Sequence, residues 1–209
     1  FEGELDLFTQ LMAERPVTWQ GTTRAPLESA DVFPKTANGL KAWVGVGGSP
    51  ESVVRTARHG LGLMLAIVGG PSYLFRQFVV LYHRSVDSFG REALPIGVHS
   101  PGHIAETDEQ AWEQAYPGFE ALNNSIGRER GWPEYSRARF QHEVGPEGSV
   151  YVGSPERVAQ KIAATMRTLG ASRFDMKYST GTLSHEHMMR SIELYGTQVA
   201  PRVRELLAD

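Results

Sequence analysis

The 209-residue chain contains no cysteine. Disulfide bonds, thiolate metal ligands and cysteine nucleophiles are therefore excluded. A strong charge bias is also missing, because 21 lysine and arginine residues against 24 aspartate and glutamate residues give a formal net charge of −3. Without a basic excess, we expect neither nucleic acid nor an anionic membrane as a partner.

Long hydrophobic runs are missing as well. The longest, Leu61 to Val68, is far too short to cross a bilayer. No secretory signal peptide is visible at the start, so we expect a cytoplasmic protein. The sequence begins at Phe1 rather than at methionine, inside an amphipathic pattern that predicts a helix with no residue before it to cap it.

The most informative stretch runs from Lys41 to Ser52 and reads as a buried strand, a glycine turn and a helix start. Ser49 is suited to the N-cap position and Pro50 to the first helical turn. Gly47 and Gly48 allow a ligand to approach the backbone, and the free N–H groups of the first helical turn attract phosphate. The alternative is that Ser-Pro-Glu only starts a helix, because a glycine-rich turn alone is a weak signal.

Apolar runs alternate with helical patterns along the chain, which predicts a single α/β domain over 1–209 with parallel strands. We place the strands at 41–46, 61–68, 94–105 and 173–178. The third strand is expected to break or bend at Ser100-Pro101-Gly102, and a helix starting at Thr107 to run only as far as Pro117. We interpret 17–39 as an irregular excursion and 120–148 as an insertion with some helix.

The carboxyl ends of parallel strands share one edge of a sheet, where ligands bind in α/β folds. All four predicted strands end in small or turn-forming residues, namely Gly47-Gly48-Ser49, Gly69-Gly70, Ser100-Pro101-Gly102 and Ser179-Thr180-Gly181. Four such ends on one rim predict a low floor for a flat or phosphorylated ligand.

Three segments together resemble the luciferase-like flavin monooxygenases, a (β/α)8 TIM-barrel family. They are Val17 to Leu27, Leu40 to Gly70 (LKAWVGVGGSPESVVRTARHGLGLMLAIVGG) and Val152 to Gly196. The resemblance covers nearly the whole chain but corresponds only to the second half of the barrel, with strands five to eight. A half-barrel has two open sheet edges, and pairing with another copy into a dimer is one way to cover them.

The resemblance implies FMN, or less often a deazaflavin, at the carboxyl face, with its phosphate on the loop after strand five. The implied cofactor-binding residues are Val46, Gly47, Gly48 and Ser49, with Ile67, Val68, Gly69 and Gly70 as neighbours. The catalytic residues of the family lie mostly in its first four strands, so the resemblance assigns no catalytic side chain here.

The resemblance therefore implies a flavin-dependent oxidoreductase or monooxygenase that uses reduced FMN on a small organic substrate, with a flavin reductase as a partner. An alternative is a non-catalytic flavin-binding protein, similar to the shortened luciferase relatives, or a fragment that binds no flavin. The reading frame upstream of Phe1 distinguishes them, because about a hundred further residues there favour the enzyme.

Other polar residues have weaker claims to a function. His99 and His103 lack a carboxylate partner for a metal site, and His185-Glu186-His187 lacks the spacing of a zinc motif, so we predict no metal. Asp175 is expected to pair with Lys177 if their strand face is buried. Arg24 and Arg173 could reach a phosphate but more commonly form surface ion pairs, and Trp43 is expected to be a core residue.

Overall fold

A computed structural model describes residues 2–208. The strands are β1 (Val17–Trp19), β2 (Leu27–Ala30), β3 (Trp43–Val46), β4 (Gly62–Ala66), β5 (Gly97–Ile104), β6 (Tyr151–Gly153) and β7 (Arg173–Lys177). The helices are α1 (Glu2–Leu11), α2 (Pro50–Arg58), α3 (Arg76–Ser88), α4 (Asp108–Arg130), α5 (Arg137–Val144), α6 (Pro155–Leu169), α7 (His185–Leu194) and α8 (Ala200–Ala208). Phe1, where we predicted an uncapped helix start, lies outside the described residues.

The main sheet has five strands, and all its pairings are parallel. Its order is β3-β4-β5, and β5 then pairs with β7 over its first part and with β6 over its second. The predicted α/β class with parallel strands is confirmed. The predicted count of four strands is one too low, because the three residues of β6 give too short a pattern to recognise.

Of the two expectations for Ser100-Pro101-Gly102, a break or a bend, the break does not occur, because β5 continues to Ile104. Pro101 is the last residue paired with β7, and Gly102 is the first paired with β6. The missing N–H of Pro101 therefore falls where the ladder changes partner. The Ser100 hydroxyl donates to the carbonyl oxygen of Ile67 at 2.9 Å, which holds β5 against the end of β4.

The two faces of the sheet differ sharply. One face packs on α2 and α3 through buried apolar side chains, among them Val46, Leu63, Leu65, Ile67 and Val98. Residues that alternate with these point to the other side, which we call the open face. The open face carries Trp43, Gly45, Met64, Ala66, His99, Arg173, Asp175 and Lys177, all of them partly or fully exposed.

Two segments are more regular than predicted. Residues 17–30, in the segment we interpreted as irregular, contain an antiparallel pair of strands, β1 and β2. Residues 120–148 are largely helical, because α4 continues through Pro117 to Arg130 and α5 follows. Buried Phe119 and Phe140 pack together in one cluster, which offsets the hydrogen bond that Pro117 cannot donate.

Within residues 2–208, no helix is both long and apolar enough to span a bilayer.

Candidate functional site

The first predicted turn lies open at the carboxyl end of β3. Val46 is 1% exposed, whereas Gly47 and Gly48 are exposed. Gly48 has φ +146°, and a Cβ built there meets no atom within 4 Å. Ser49 caps α2 as predicted, because its hydroxyl accepts a hydrogen bond from the Ser52 N–H at 3.2 Å. The turn therefore presents backbone, rather than side chains, to a ligand.

The second predicted turn lies beside it at the end of β4. Parallel pairing of Val46 with Leu65 puts Gly47 next to the end of β4, where its Cβ would lie 3.8 Å from the Ala66 carbonyl oxygen. Ile67 is buried, whereas Val68, Gly69 and Gly70 are exposed. The structure thus brings the predicted residues together, with Val46 and Ile67 as the buried support beneath two open turns.

The rim is less open at β5 and β7 than predicted. His103 and Ala105, at the end of β5, are buried beside α4 and α5. Thr180, in the loop after β7, is buried against Gly118 of α4. The end of β5 is therefore covered, whereas the loop after β7 is buried only at Thr180, because Ser179 and Gly181 are exposed.

A carboxylate already lies at the start of α2. The Ser49 hydroxyl donates to Glu51 Oε2 at 2.8 Å. The Glu51 backbone N–H and the Ser49 hydroxyl together lower the pKa of the Glu51 carboxyl, and the group is ionised at neutral pH. A phosphate bound to the first turn of α2 would have to displace this side chain.

The chain contains a second copy of the same turn. Gly153-Ser154-Pro155-Glu156 repeats Gly48-Ser49-Pro50-Glu51 and starts α6 as the first copy starts α2. In the second copy the Ser154 N–H donates to Asp108 Oδ1 at 2.7 Å. The turn thus holds an oxyanion through its backbone, here one that the chain itself supplies.

The electrostatics of the second copy agree with this interpretation. Burial raises the pKa of Asp108, but hydrogen bonds from Ser154 and the Arg157 guanidinium outweigh it and leave the pKa below its ordinary value. Arg157 Nη1 lies 3.3 Å from Asp108 Oδ2. Glu156, the counterpart of Glu51, pairs instead with Arg202 at 3.0 Å and does not compete for the turn. The repeated Gly-Ser-Pro-Glu is visible in the sequence, but our sequence analysis did not use it.

The predicted histidine candidates do not converge. His99 lies partly exposed on the open face, whereas His103 is buried and donates through Nε2 to Gln114 Oε1 at 2.8 Å. Burial lowers the pKa of His103, and its Nδ1 has no hydrogen-bond partner. His185 and Glu186 lie in the first turn of α7, which Ser184 caps. Residues 2–208 contain no group of three histidine, aspartate or glutamate residues that could hold a metal ion.

Asp175 was expected to pair with Lys177 only if their strand face were buried, and that face is partly or fully exposed. Asp175 instead accepts from Arg173 Nε at 2.9 Å, since both lie on the same exposed face two residues apart. The Arg173 guanidinium also lies 5.0 Å from the centre of the Trp43 ring. Trp43 is partly exposed rather than a core residue, and it occupies space that Gly62 leaves free. Trp43 and Arg173 together cover the lower part of the open face.

A cavity of about 230 Å³ lies beside the second turn, and we call it the rim cavity. It is lined by Gly70, Pro71, Tyr73, His142, Glu143, Glu147, Gly148 and Ser149. Another cavity, of about 360 Å³, lies between Trp43 and Leu94 near the amino ends of β3 and β4. The rim cavity adjoins the second turn, and a further cavity of about 470 Å³ borders Pro50 and Glu51 at the start of α2.

Solved structures share this fold. Monooxygenase RslO1 from Streptomyces bottropensis aligns with a TM-score of 0.75 and 19% identity, over 96% of this chain and 60% of that one. The oxygenating constituent of 3,6-diketocamphane monooxygenase from Pseudomonas putida, solved with FMN, gives 0.63 and 14%, over 95% and 61%. Coenzyme F420 dependent tetrahydromethanopterin reductase from Methanopyrus kandleri gives 0.60 and 15%, over 95% and 61%.

These alignments confirm the predicted part of a TIM-type barrel, and the chain spans about 60% of the length of the structures it matches. No curated protein sequence matches the chain. The family model for luciferase-like monooxygenases matches residues 3–173. The chain belongs to the luciferase-like monooxygenase family.

Proposed function

We propose that this chain binds the phosphate of FMN at Gly47-Gly48-Ser49, as part of a flavin-dependent oxidoreductase that acts on a small organic substrate. The bound flavin supplies the redox chemistry. The exposed backbone of the first turn holds the phosphate, with Gly69 and Gly70 beside it. A deazaflavin is the less favoured cofactor.

One observation carries the proposal, namely that the turn exists twice in this chain. The second copy holds the Asp108 carboxylate on the Ser154 N–H, whereas no atom lies within 4 Å of a Cβ built at Gly48 in the first. N–H groups at a helix start favour an anion through both hydrogen bonding and the helix dipole, and in the first copy the group bonded there is the exposed Glu51 carboxylate, which a phosphate would displace. The first copy is therefore the one suited to an external phosphate.

The open face has the shape that a flat ring needs next to this turn. Gly45 and Ala66 lie one layer below the rim and project little into the space above them. Trp43 and Arg173 close the layer beneath. A ring extending from a phosphate at Ser49 would lie over the small residues. His99 and Asp175 would face its far edge, because their strands pair in register there.

The partners follow from the same proposal. A flavin reductase would supply reduced FMN. A second copy of the chain is proposed to pair at a free sheet edge, because β3 and β7 each have one side without a partner strand among residues 2–208. Gel filtration with light scattering measures the mass of the assembly, and a monomer at micromolar concentration would exclude the dimer.

Titration of FMN and riboflavin, followed by the quenching of flavin fluorescence, tests the phosphate site. Ser49→Asp should weaken FMN binding at least about tenfold, because a carboxylate about 4 Å from a dianion costs ~2 kcal/mol even in water. Riboflavin lacks the phosphate, so its affinity should change little. Ser184→Asp is the matched control, since Ser184 also caps a helix and its substitution adds the same charge outside the turns after β3 and β4.

The outcomes separate the alternatives. Equal FMN affinity in the wild type and Ser49→Asp would show that the phosphate does not bind at this turn. Loss of FMN and riboflavin together would indicate damage to the fold rather than repulsion. Tighter binding of coenzyme F420 than of FMN to the wild type would favour the deazaflavin. Flavin binding without turnover in the full-length protein would favour the non-catalytic alternative.

A further inference from the structure

One wall of the rim cavity is contacted by a half-buried lysine, Lys161. The wall is the segment 142–149, which closes α5 and faces Gly70 and Tyr73 across the cavity. Lys161 of α6 reaches this segment from the side away from the cavity and lines a separate space of about 310 Å³. Its ammonium group lies 5.0 Å from the centre of the Tyr151 ring.

The Lys161 ammonium is surrounded by backbone carbonyl oxygens. Its Nζ lies 2.6 Å from Gly145 O and 2.8 Å from Val150 O. Glu143 O and Val144 O follow, each at 3.4 Å. Three of these carbonyls close the last turn of α5, where helical acceptors lack partners within the helix. We refer to the four oxygens as the carbonyl ring.

In the part of the chain that the structure describes, Lys161 is the one cationic side chain that donates hydrogen bonds to the carbonyl ring. Among residues 2–208, no carboxylate forms an ion pair with Lys161, and the Arg157 guanidinium lies beside Asp108 instead. The Glu143 carboxylate is bound by the Tyr135 hydroxyl at 2.5 Å and by Arg139 Nε at 2.9 Å. Within the described residues, Lys161 is thus held by carbonyl dipoles and by the face of the Tyr151 ring, without a carboxylate partner.

Removing Lys161 would take one donor from each oxygen of the carbonyl ring, although Gly145 O and Glu143 O would each keep one backbone donor. A buried carbonyl oxygen that loses its donor destabilises the segment that carries it. Two backbone hydrogen bonds close the segment 142–149. They run from Gly148 N to Gly145 O at 3.1 Å and from Val150 N to Glu143 O at 3.0 Å. Both use carbonyl oxygens of the ring, so these two amides report directly on whether the segment stays closed.

We infer that Lys161 is the positioning residue of the rim cavity, because its N–H groups gather the carbonyl ring and so fix the wall opposite Gly70 and Tyr73. The cavity serves as a substrate space only if the proposed function holds, since it adjoins the turn proposed to lie beside the flavin. The role of Lys161 in shaping that wall is independent of flavin.

Amide hydrogen exchange measured by NMR tests the inference. In Lys161→Met, the protection of the Gly148 and Val150 amides should fall at least tenfold, while the Phe89 and Ala111 amides in α3 and α4 keep theirs. The Gly70 amide resonance should move as the wall retreats. Lys41→Met is the control, because Lys41 is an exposed lysine near the amino end of β3. Unchanged protection at Gly148 and Val150 would overturn the inference.

Chemical rescue provides the second measurement and does not require a fully stable variant. Lys161→Ala leaves space for a small cation beside the carbonyl ring. Propylammonium carries N–H donors and should restore the protection of Gly148 and Val150, whereas tetramethylammonium at the same concentration should not. Equal effects of the two cations, or no rescue by propylammonium, would refute a role for the N–H groups.

FMN titration of the same variants separates the two proposals. Lys161→Met should keep its FMN affinity within about twofold of the wild type, because Lys161 does not contact the turn at Gly48 and Ser49. Absence of FMN binding in the wild type would overturn the proposed function, and the exchange data would still decide the role of Lys161. Loss of FMN binding in Lys161→Met alone would contradict a role confined to the cavity wall.

Discussion

Gly118 of α4 packs directly on the loop after β7, and no larger residue fits there. A Cβ built on Gly118 would lie 2.5 Å from the carbonyl oxygen of Thr180 and 3.6 Å from the Thr182 nitrogen. Both neighbours are backbone atoms, so no side-chain rotation relieves the clash. Gly181 has φ +57° and faces Gly118 in turn, which fixes the loop conformation on the other side.

The expected effect of Gly118→Ala is the difference of two terms. Alanine in a helix interior gains about 1 kcal/mol over glycine, and forcing an extra methyl group into a packed site costs about 1–3 kcal/mol. Gly127→Ala in the same helix gains the first term without the second, since its Cβ would lie 3.5 Å from Trp132 Cβ, an ordinary contact. Gly118→Ala should therefore be less stable than Gly127→Ala by about 1–3 kcal/mol.

Urea denaturation followed by circular dichroism measures both free energies of unfolding. The comparison between two glycines of one helix removes the shared gain in helix propensity, so the measured difference is the packing cost alone. Two variants that agree within about 0.5 kcal/mol, the usual range for substitutions without a packing conflict, would refute the argument. They would show that α4 and the loop after β7 can separate without cost.

Three further predictions concern charge. Glu51→Gln should strengthen FMN binding several-fold in a fluorescence titration, because the carboxylate at the first turn of α2 no longer repels the phosphate. Glu156→Gln, the equivalent change in the second copy, should leave FMN affinity unchanged. Burial and the nearby Arg157 lower the pKa of Lys161 to about 7. Above pH 7 the unfolded state therefore binds more protons than the folded state. The free energy of unfolding of the wild type, measured by urea denaturation relative to Lys161→Met, should rise by up to about 1.4 kcal/mol per pH unit between pH 7 and 9. A difference between the two proteins that does not change with pH would contradict this prediction. Burial lowers the pKa of His103, so the stability of the wild type should fall as the pH drops below about 6.5. In thermal scans from pH 7 to 5, His103→Gln should lose less stability than the wild type.

The sequence predicted the strands of the main sheet where each carries enough apolar residues to make a pattern. Four strands were located because runs such as Leu61 to Val68 are apolar on both faces, as in buried parallel strands. Strand β6 has three residues, and Ser154, directly after it, is already the N-cap of α6. Its existence depends on pairing with the second half of β5, which no local pattern records.

Two prolines have less effect on the local structure than the sequence analysis expected, for one physical reason. Pro117 was expected to end a helix and Pro101 to break or bend a strand, because each removes a backbone donor. In the fold, Phe119 is buried beyond Pro117 and the strand partner changes after Pro101, so neither loss decides the local structure. Tertiary contacts outweigh a single missing hydrogen bond at both sites, and such contacts cannot be read from the local sequence.

The candidate site shows the same limit more clearly. Gly48-Ser49-Pro50-Glu51 and Gly153-Ser154-Pro155-Glu156 are equivalent as sequence, and both start helices after a strand. Only the fold shows that Asp108 reaches the second copy, because β6 pairs with β5 and so brings the start of α4 to the start of α6. The first copy lies at the far end of the sheet, where no equivalent element approaches Gly48. The motif thus indicates which kind of group a turn can bind. The pairing of the neighbouring strands determines whether the chain itself or a ligand supplies that group.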